Sequence, residues 1–162
     1  MRPRLPMVTA ITLSVAVVAL AIASGWLGVV SLRNKDDVDQ RAKASQSARQ
    51  MGVNLMTLDK ATAQRDVDRI VSGATGNFKN TLSSQAKTLI DQLTQTGAKS
   101  TLTDVTAAVV SIDGDSAEVM VSLDGVVTNP KVKDGVPRKY RYLMDLERVG
   151  DRWLVSDMEM VP

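Results

Sequence analysis

The sequence contains no cysteine and no histidine. Without cysteine it has no disulfide framework, no thiolate nucleophile and no zinc finger. Without histidine it lacks the commonest general base at neutral pH and the commonest transition-metal ligand. Serine–histidine and cysteine–histidine catalysis are both excluded. Aromatic residues make up 3% of the chain, too few to build a stacking platform for bases. A concentrated basic footprint is missing as well. Four of the 20 Lys and Arg precede Asp36 and none of the 18 acids does, so 16 cations face 18 acids from there on, a net charge of −2. Nucleic-acid binding needs cations gathered to displace counterions from phosphates, so no nucleic-acid partner is expected.

The overall charge of +2 therefore comes from the N-terminus, where Arg2 and Arg4 precede an uncharged run from Met7 to Leu32 and Arg33 and Lys35 follow it. About 20 apolar residues suffice to cross a hydrocarbon core as a helix. Thr9, Thr12, Ser14 and Ser24 can return their hydroxyls to helix carbonyls, and Trp26 suits the interfacial aromatic belt. Pro3 and Pro6 fall before the helix or in its first turn, where a missing N–H does no harm. The rival reading is a cleaved signal peptide, with Ala21-Ile22-Ala23 before Ser24 as the cleavage site. Apolar residues continue through Trp26, Leu27, Val29, Val30 and Leu32, which favours an anchor over the shorter core of a signal peptide. Flanking charge alone would keep the domain in the cytoplasm, but Asp36, Asp37 and Asp39 interleave there and long domains translocate with little regard for charge. The expectation is a single-pass plasma-membrane protein with a cytoplasmic tail at 1–6, a transmembrane helix at 7–32 and an extracytoplasmic C-terminal domain.

Beyond the anchor, residues 33–62 are expected to hold a juxtamembrane segment and the first domain helix, and residues 63–162 an α+β domain. Ala44, Ala48, Met51, Leu55 and Leu58 recur at helical spacing, with Asp36, Asp37 and Asp39 in the first turn. That alanine-rich seam would also suit a coiled coil with another single-span protein. A second helix is expected over Gln64–Ser72, ended by Gly73. A third begins at Gly76, capped by Thr75, with Phe78, Leu82, Ala86, Leu89, Ile90 and Leu93 on its buried face. After Gly97 the period changes to two. Strands are expected at Thr101–Ile112, Ser116–Val127, Arg138–Val149 and Arg152–Val161, with tight turns at Asp113-Gly114-Asp115 and Gly150-Asp151. Helices followed by four consecutive antiparallel strands make an α+β domain.

Chemistry has few places to reside. Asp104 and Asp157, flanked by apolar residues on strands one and four, are the candidates for a general base in a pocket, with a solvated sheet face as the alternative. Asp113-Gly114-Asp115 is a turn rather than a calcium loop. No catalytic residue, metal or cofactor is expected. Pro130, Gly135 and Pro137 mark a long hairpin loop between Val126 and Arg141 that carries Lys131, Lys133, Arg138 and Lys139. Such a loop is either a basic lip touching a partner protein or anionic headgroups, or a solvated tip.

Two stretches resemble a known family. Asp66-Val67-Asp68-Arg69-Ile70-Val71-Ser72-Gly73-Ala74-Thr75-Gly76-Asn77-Phe78-Lys79 resembles the central signature of the Mce-associated membrane proteins of actinobacteria. Gly150-Asp151-Arg152-Trp153-Leu154-Val155-Ser156-Asp157 resembles that family's terminal strand. The resemblance implies a nuclear-transport-factor-like or cystatin-like cone, a curved four-stranded antiparallel sheet with helices packed on it. It implies that Thr75, Gly76, Phe78, Trp153, Leu154 and Val155 act as fold determinants: a cap, a close-approach glycine, a core anchor and a sheet face. It also implies an accessory role in Mce-type import of fatty acids or sterols, exercised by contact with transporter components or other envelope proteins, in homo- or hetero-oligomers. The alternatives are a lipid-binding module that uses the cone's interior and a bitopic scaffold of the type IV secretion kind.

Overall fold

Alanines and a glycine at helical spacing let a helix lie close on a sheet, and the first helix does so. The computed structural model describes residues 36–162, so the apolar run Met7–Leu32 lies outside the described residues. Among the described residues no helix is long and apolar enough to cross a membrane. Helix α1 covers 36–56, and the compact body that contains the core spans Arg41–Pro162. Ala44, Ala48 and Met51 are all at most 2% exposed. At Gly52 an added Cβ would lie 2.6 Å from Leu123 Cδ2 and 3.2 Å from Val121 Cγ1, so backbone meets sheet without an intervening side chain.

Helix α2 spans Ala63–Ser72 and α3 spans Gly76–Thr96. Gly97 ends α3 at φ +61°, and its N–H reaches Leu93 O at 3.1 Å. Four strands follow: β1 Lys99–Asp113, β2 Ser116–Asn129, β3 Val132–Val149 and β4 Arg152–Met160. They form one antiparallel sheet in the order β1-β2-β3-β4. On β2, Ala117, Val119, Val121 and Leu123 are buried, alternating with Glu118, Met120, Ser122 and Asp124. These join Met144 and Leu146 of β3, Trp153 and Val155 of β4, and the α1 stripe in one core. Each buried Val, Leu or Met among them contributes about 1.5–3 kcal/mol by burial. A second cluster of Ala63, Val67 and Leu93 ties α2 to α3.

One expected feature is corrected. The stretch from Val126 to Arg141 is not a long loop. β2 continues through Asn129 and β3 starts at Val132, leaving a turn at Pro130 and Lys131. Asn129 Oδ1 closes that turn by accepting the N–H groups of Lys131 and Val132, each at 2.9 Å. Gly135 and Pro137 suggested a loop but have other reasons. Gly135 takes φ +81° where the register shifts near Val127 and Asn129. Pro137 pairs with Val126 on a part of β3 that β4 does not reach, and proline is tolerated on such an edge. Lys131 therefore sits in the turn, while Lys133, Arg138 and Lys139 lie along the strand.

Candidate functional site

The chain from Gly73 to Thr75 leaves α2 extended and lies alongside β4. Val155 N–H donates to Gly73 O at 2.9 Å and Thr75 N–H donates to Val155 O at 2.8 Å, which makes a parallel bridge between Ala74 and Val155. The two stretches singled out in the sequence are thus brought into direct contact. Trp153 and Val155 are buried in the main core, Leu154 is half-buried, and half-buried Phe78 packs against the same core.

Two of the assigned roles change. Thr75 occupies the N-cap position with extended backbone, φ −137° and ψ 174°, but its hydroxyl makes no capping bond. Its main-chain N–H, bound to Val155, does the structural work. Gly76 is not a close-approach glycine, because nothing lies within 4 Å of an added Cβ; it is required by its φ of +57° as α3 begins. Close approach belongs to Gly52 and to Gly125, where a Cβ would clash with Met56 Cε and stand 2.7 Å from Thr101 O.

Beside the bridge an open groove of about 270 Å³ is lined by Lys43, Gln50, Asn54, Arg152, Trp153 and Leu154, among others. Buried Asn54 accepts from Gln50 Nε2 at 3.1 Å and donates to Arg69 O at 3.5 Å, while Arg152 donates to Ser72 O at 3.3 Å. Its polar groups serve to join α1, α2 and β4.

The most buried acid was not foreseen. Asp66, 2% exposed, accepts from Asp59 N–H at 3.0 Å, from the Thr62 hydroxyl at 2.6 Å and from Arg69 at 2.7 Å. It fastens the connection between α1 and α2. Thr62, Asp66 and Arg69 at helical spacing were the available signal. Nearby, the Ala61 N–H and then Lys99, at 3.1 Å, hold the Asp59 carboxyl below the ordinary aspartate range.

Asp104 is exposed beside a bulge on β1, and Asp157 is exposed on β4 opposite Asp145. These positions bring no base and acid together in a closed pocket. On the outer sheet face Asp113, Glu118, Asp145 and Glu147 line an open groove of about 410 Å³. Among the described residues no three acidic side chains are placed to hold a metal ion. Lys139 pairs with Asp124 at 2.9 Å, and Lys131, Lys133 and Arg138 are exposed around the β2–β3 hairpin. On the concave side Tyr140 and Tyr142 stack with ring centroids 6.1 Å apart. Burial, and then Tyr140, pushes the Tyr142 hydroxyl above the ordinary tyrosine range, so it is neutral at physiological pH.

Three helices on one face of a four-stranded antiparallel sheet define a domain of the nuclear-transport-factor-2-like class. An IcmL-like type IV secretion system protein from Legionella pneumophila aligns with a TM-score of 0.57 and 11% identity, over 75% of this chain and 92% of that one. An NTF2-like protein involved in plasmid conjugation aligns at 0.53 and 14% identity, over 75% and 48%. A ketosteroid isomerase-like protein from Erwinia carotovora atroseptica aligns at 0.50 and 17% identity, over 76% and 97%, so the fold serves more than one kind of protein. The chain belongs to the family described as uncharacterized protein Rv1363c/MT1408-like, whose match spans residues 5–162. It is 27% identical to the uncharacterized protein Rv1363c of Mycobacterium tuberculosis over the whole chain, and it spans 63% of that relative's length.

Proposed function

We propose that this protein is a non-enzymatic accessory subunit of an Mce-type lipid import system in an actinobacterial envelope, stabilising the assembly by protein contact. The apolar run Met7–Leu32 anchors it in the plasma membrane as a single pass, with the folded domain outside. Confinement beside a transporter raises effective concentration, so modest contacts suffice.

One observation carries this reading: the concave sheet face behind β2 is filled by the chain's own helix. Gly52 meets Val121 and Leu123, and Ala44, Ala48 and Met51 are buried in one core with them, in the space that a bound lipid would need. A domain so filled works through its surface. The absence of histidine and cysteine and the exposed settings of Asp104 and Asp157 support the same reading. The resemblance of residues 66–79 and 150–157 to Mce-associated proteins supports the choice of assembly.

The likeness to the Legionella secretion protein favours a second reading, a bitopic scaffold of a secretion channel. The neighbouring genes separate the two. Removing the gene is expected to lower the steady-state amount of the transporter subunits, measured by quantitative proteomics. Re-expression with Asp104→Asn and Asp157→Asn together is expected to restore it. Unchanged subunit levels after deletion refute the stabilising role, and failure of the double variant to restore them points to chemistry.

A further inference from the structure

A strand at the edge of a sheet presents unpaired backbone, and natural proteins guard it with charge, proline or cover. The outer edge of β4 is occupied by Gly73–Thr75 through the two bonds to Val155. The start of β1 is covered as well, because Ser100 N–H donates to Leu58 O at 2.8 Å and Lys99 bridges Asp59. Beyond Asp104 the guard stops. From Val105 to Ile112 the strand carries no charged residue, no proline and no glycine, and Val110 is 55% exposed. Its register with β2 is unbroken from Asp104 to Val109, between shifts at Leu102/Asp104 and Val109/Ser111. The two bulges bound this stretch without covering it.

Register decides which main-chain groups are free. Arg148 N–H donates to Asp115 O in line with the β2–β3 ladder, so odd-numbered residues of β2 face β3 and even-numbered ones face β1. Asp104, Thr106 and Ala108, opposite Asp124, Ser122 and Met120, therefore bond to β2. Val105, Ala107 and Val109 turn their N–H and C=O outward, and among the described residues no other main chain reaches them. Ala107 O accepts the Ser45 hydroxyl at 3.3 Å and keeps a second lone pair. These outward groups are symmetric about Ala107. A second copy laid antiparallel on a twofold axis there sets Ala107 opposite Ala107, Val105 opposite Val109 and Thr106 opposite Ala108. Each outward-facing pair can then exchange two bonds. Small residues meet at the axis, and Asp104 meets the bulge at Val110 rather than another acid. An uncharged edge has nothing with which to select a charged peptide.

We propose that β1 pairs with β1 of a second copy of this chain, antiparallel about Ala107, joining two four-stranded sheets into one. Main-chain bonds give the contact its register, and the shortness of the unbroken stretch keeps it reversible. The inference holds whichever envelope assembly the protein serves.

The chain has no cysteine, so introduced thiols report the register cleanly. Full-length Thr106→Cys and Ala108→Cys proteins, both changed at exposed positions, are mixed in phosphatidylcholine liposomes and mildly oxidised. Opposed residues lie about 4.5–5.5 Å apart between Cα atoms, within disulfide reach. Two copies of position 106, or of position 108, lie diagonally about 7–8 Å apart, beyond it. The mixture is expected to give about fivefold more linked dimer, or better, than either protein alone. Ala107→Pro, added to both, is expected to lower that yield about tenfold or more, since each copy loses an outward N–H that the sheet itself does not use. In the cysteine-free chain, hydrogen exchange at the Ala107 and Val109 N–H groups is expected to slow as the protein-to-lipid ratio rises. Equal linkage in the mixture and in the separate proteins, a yield untouched by Ala107→Pro, or exchange that ignores the protein-to-lipid ratio overturns the proposal.

Discussion

Asp66 carries the largest single polar commitment of the fold. Its carboxylate is shared by the Asp59 N–H, the Thr62 hydroxyl and Arg69, and all three lose their acceptor if it is removed. Asp66→Ala is expected to lower stability by about 2–3 kcal/mol, measured by urea unfolding of the full chain. Exposed Asp68, which accepts from Gln64 at 3.0 Å, should cost no more than about 0.5 kcal/mol when changed to alanine. Gly125→Ala is expected to cost about 1–3 kcal/mol, because the Thr101 carbonyl 2.7 Å from the new Cβ is backbone and cannot swing aside. Gly76→Ala should cost about 1–2 kcal/mol for a different reason, its φ of +57°. Legibility at this scale followed sequence distance. Thr62, Asp66 and Arg69 follow one another at spacings of four and three, along one helical face, and were open to reading. Gly52 and Gly125 owe their roles to Leu123 and Met56, partners distant in sequence, which no local pattern announces.

Element bounds were largely legible because the hydrophobic period changes after Gly97 and glycines punctuate the turns. α3 starts at Gly76, and Gly114-Asp115 and Gly150-Asp151 turn the chain between strands as expected. The β2–β3 hairpin was misread because Gly135 and Pro137 ordinarily break strands. Both are accommodated by a register shift and an open edge, and these exist only once the sheet is assembled. The junction of the α2–α3 connection with β4 was invisible for the same reason. It yields a paired prediction. Thr75→Ala is expected to change stability by less than about 0.5 kcal/mol, since the hydroxyl makes no cap bond. Thr75→Pro is expected to cost about 3 kcal/mol, since it removes the N–H bound to Val155 and conflicts with φ −137°. A comparison of unfolding midpoints checks both. The Asp59–Lys99 pair, which fastens the end of α1 to β1, adds a pH dependence. The folded-state value of Asp59 lies below its unfolded value, so its contribution is present at neutral pH and is lost as pH falls through the acid range. Lys99→Ala is expected to move the Asp59 titration, followed by NMR, part of the way back towards the ordinary value while the Ala61 N–H holds the rest.

For the whole molecule, the described body from Arg41 to Pro162 is a helix-filled α+β domain whose polar commitments are spent on joining its own elements. The class of fold was legible from three helices and four alternating strands. The most direct test is affinity purification of the full chain, tagged at its native locus, in mild detergent with quantitative mass spectrometry. The account predicts stoichiometric recovery of Mce-type transport subunits. Recovery of the chain alone at native levels would contradict it.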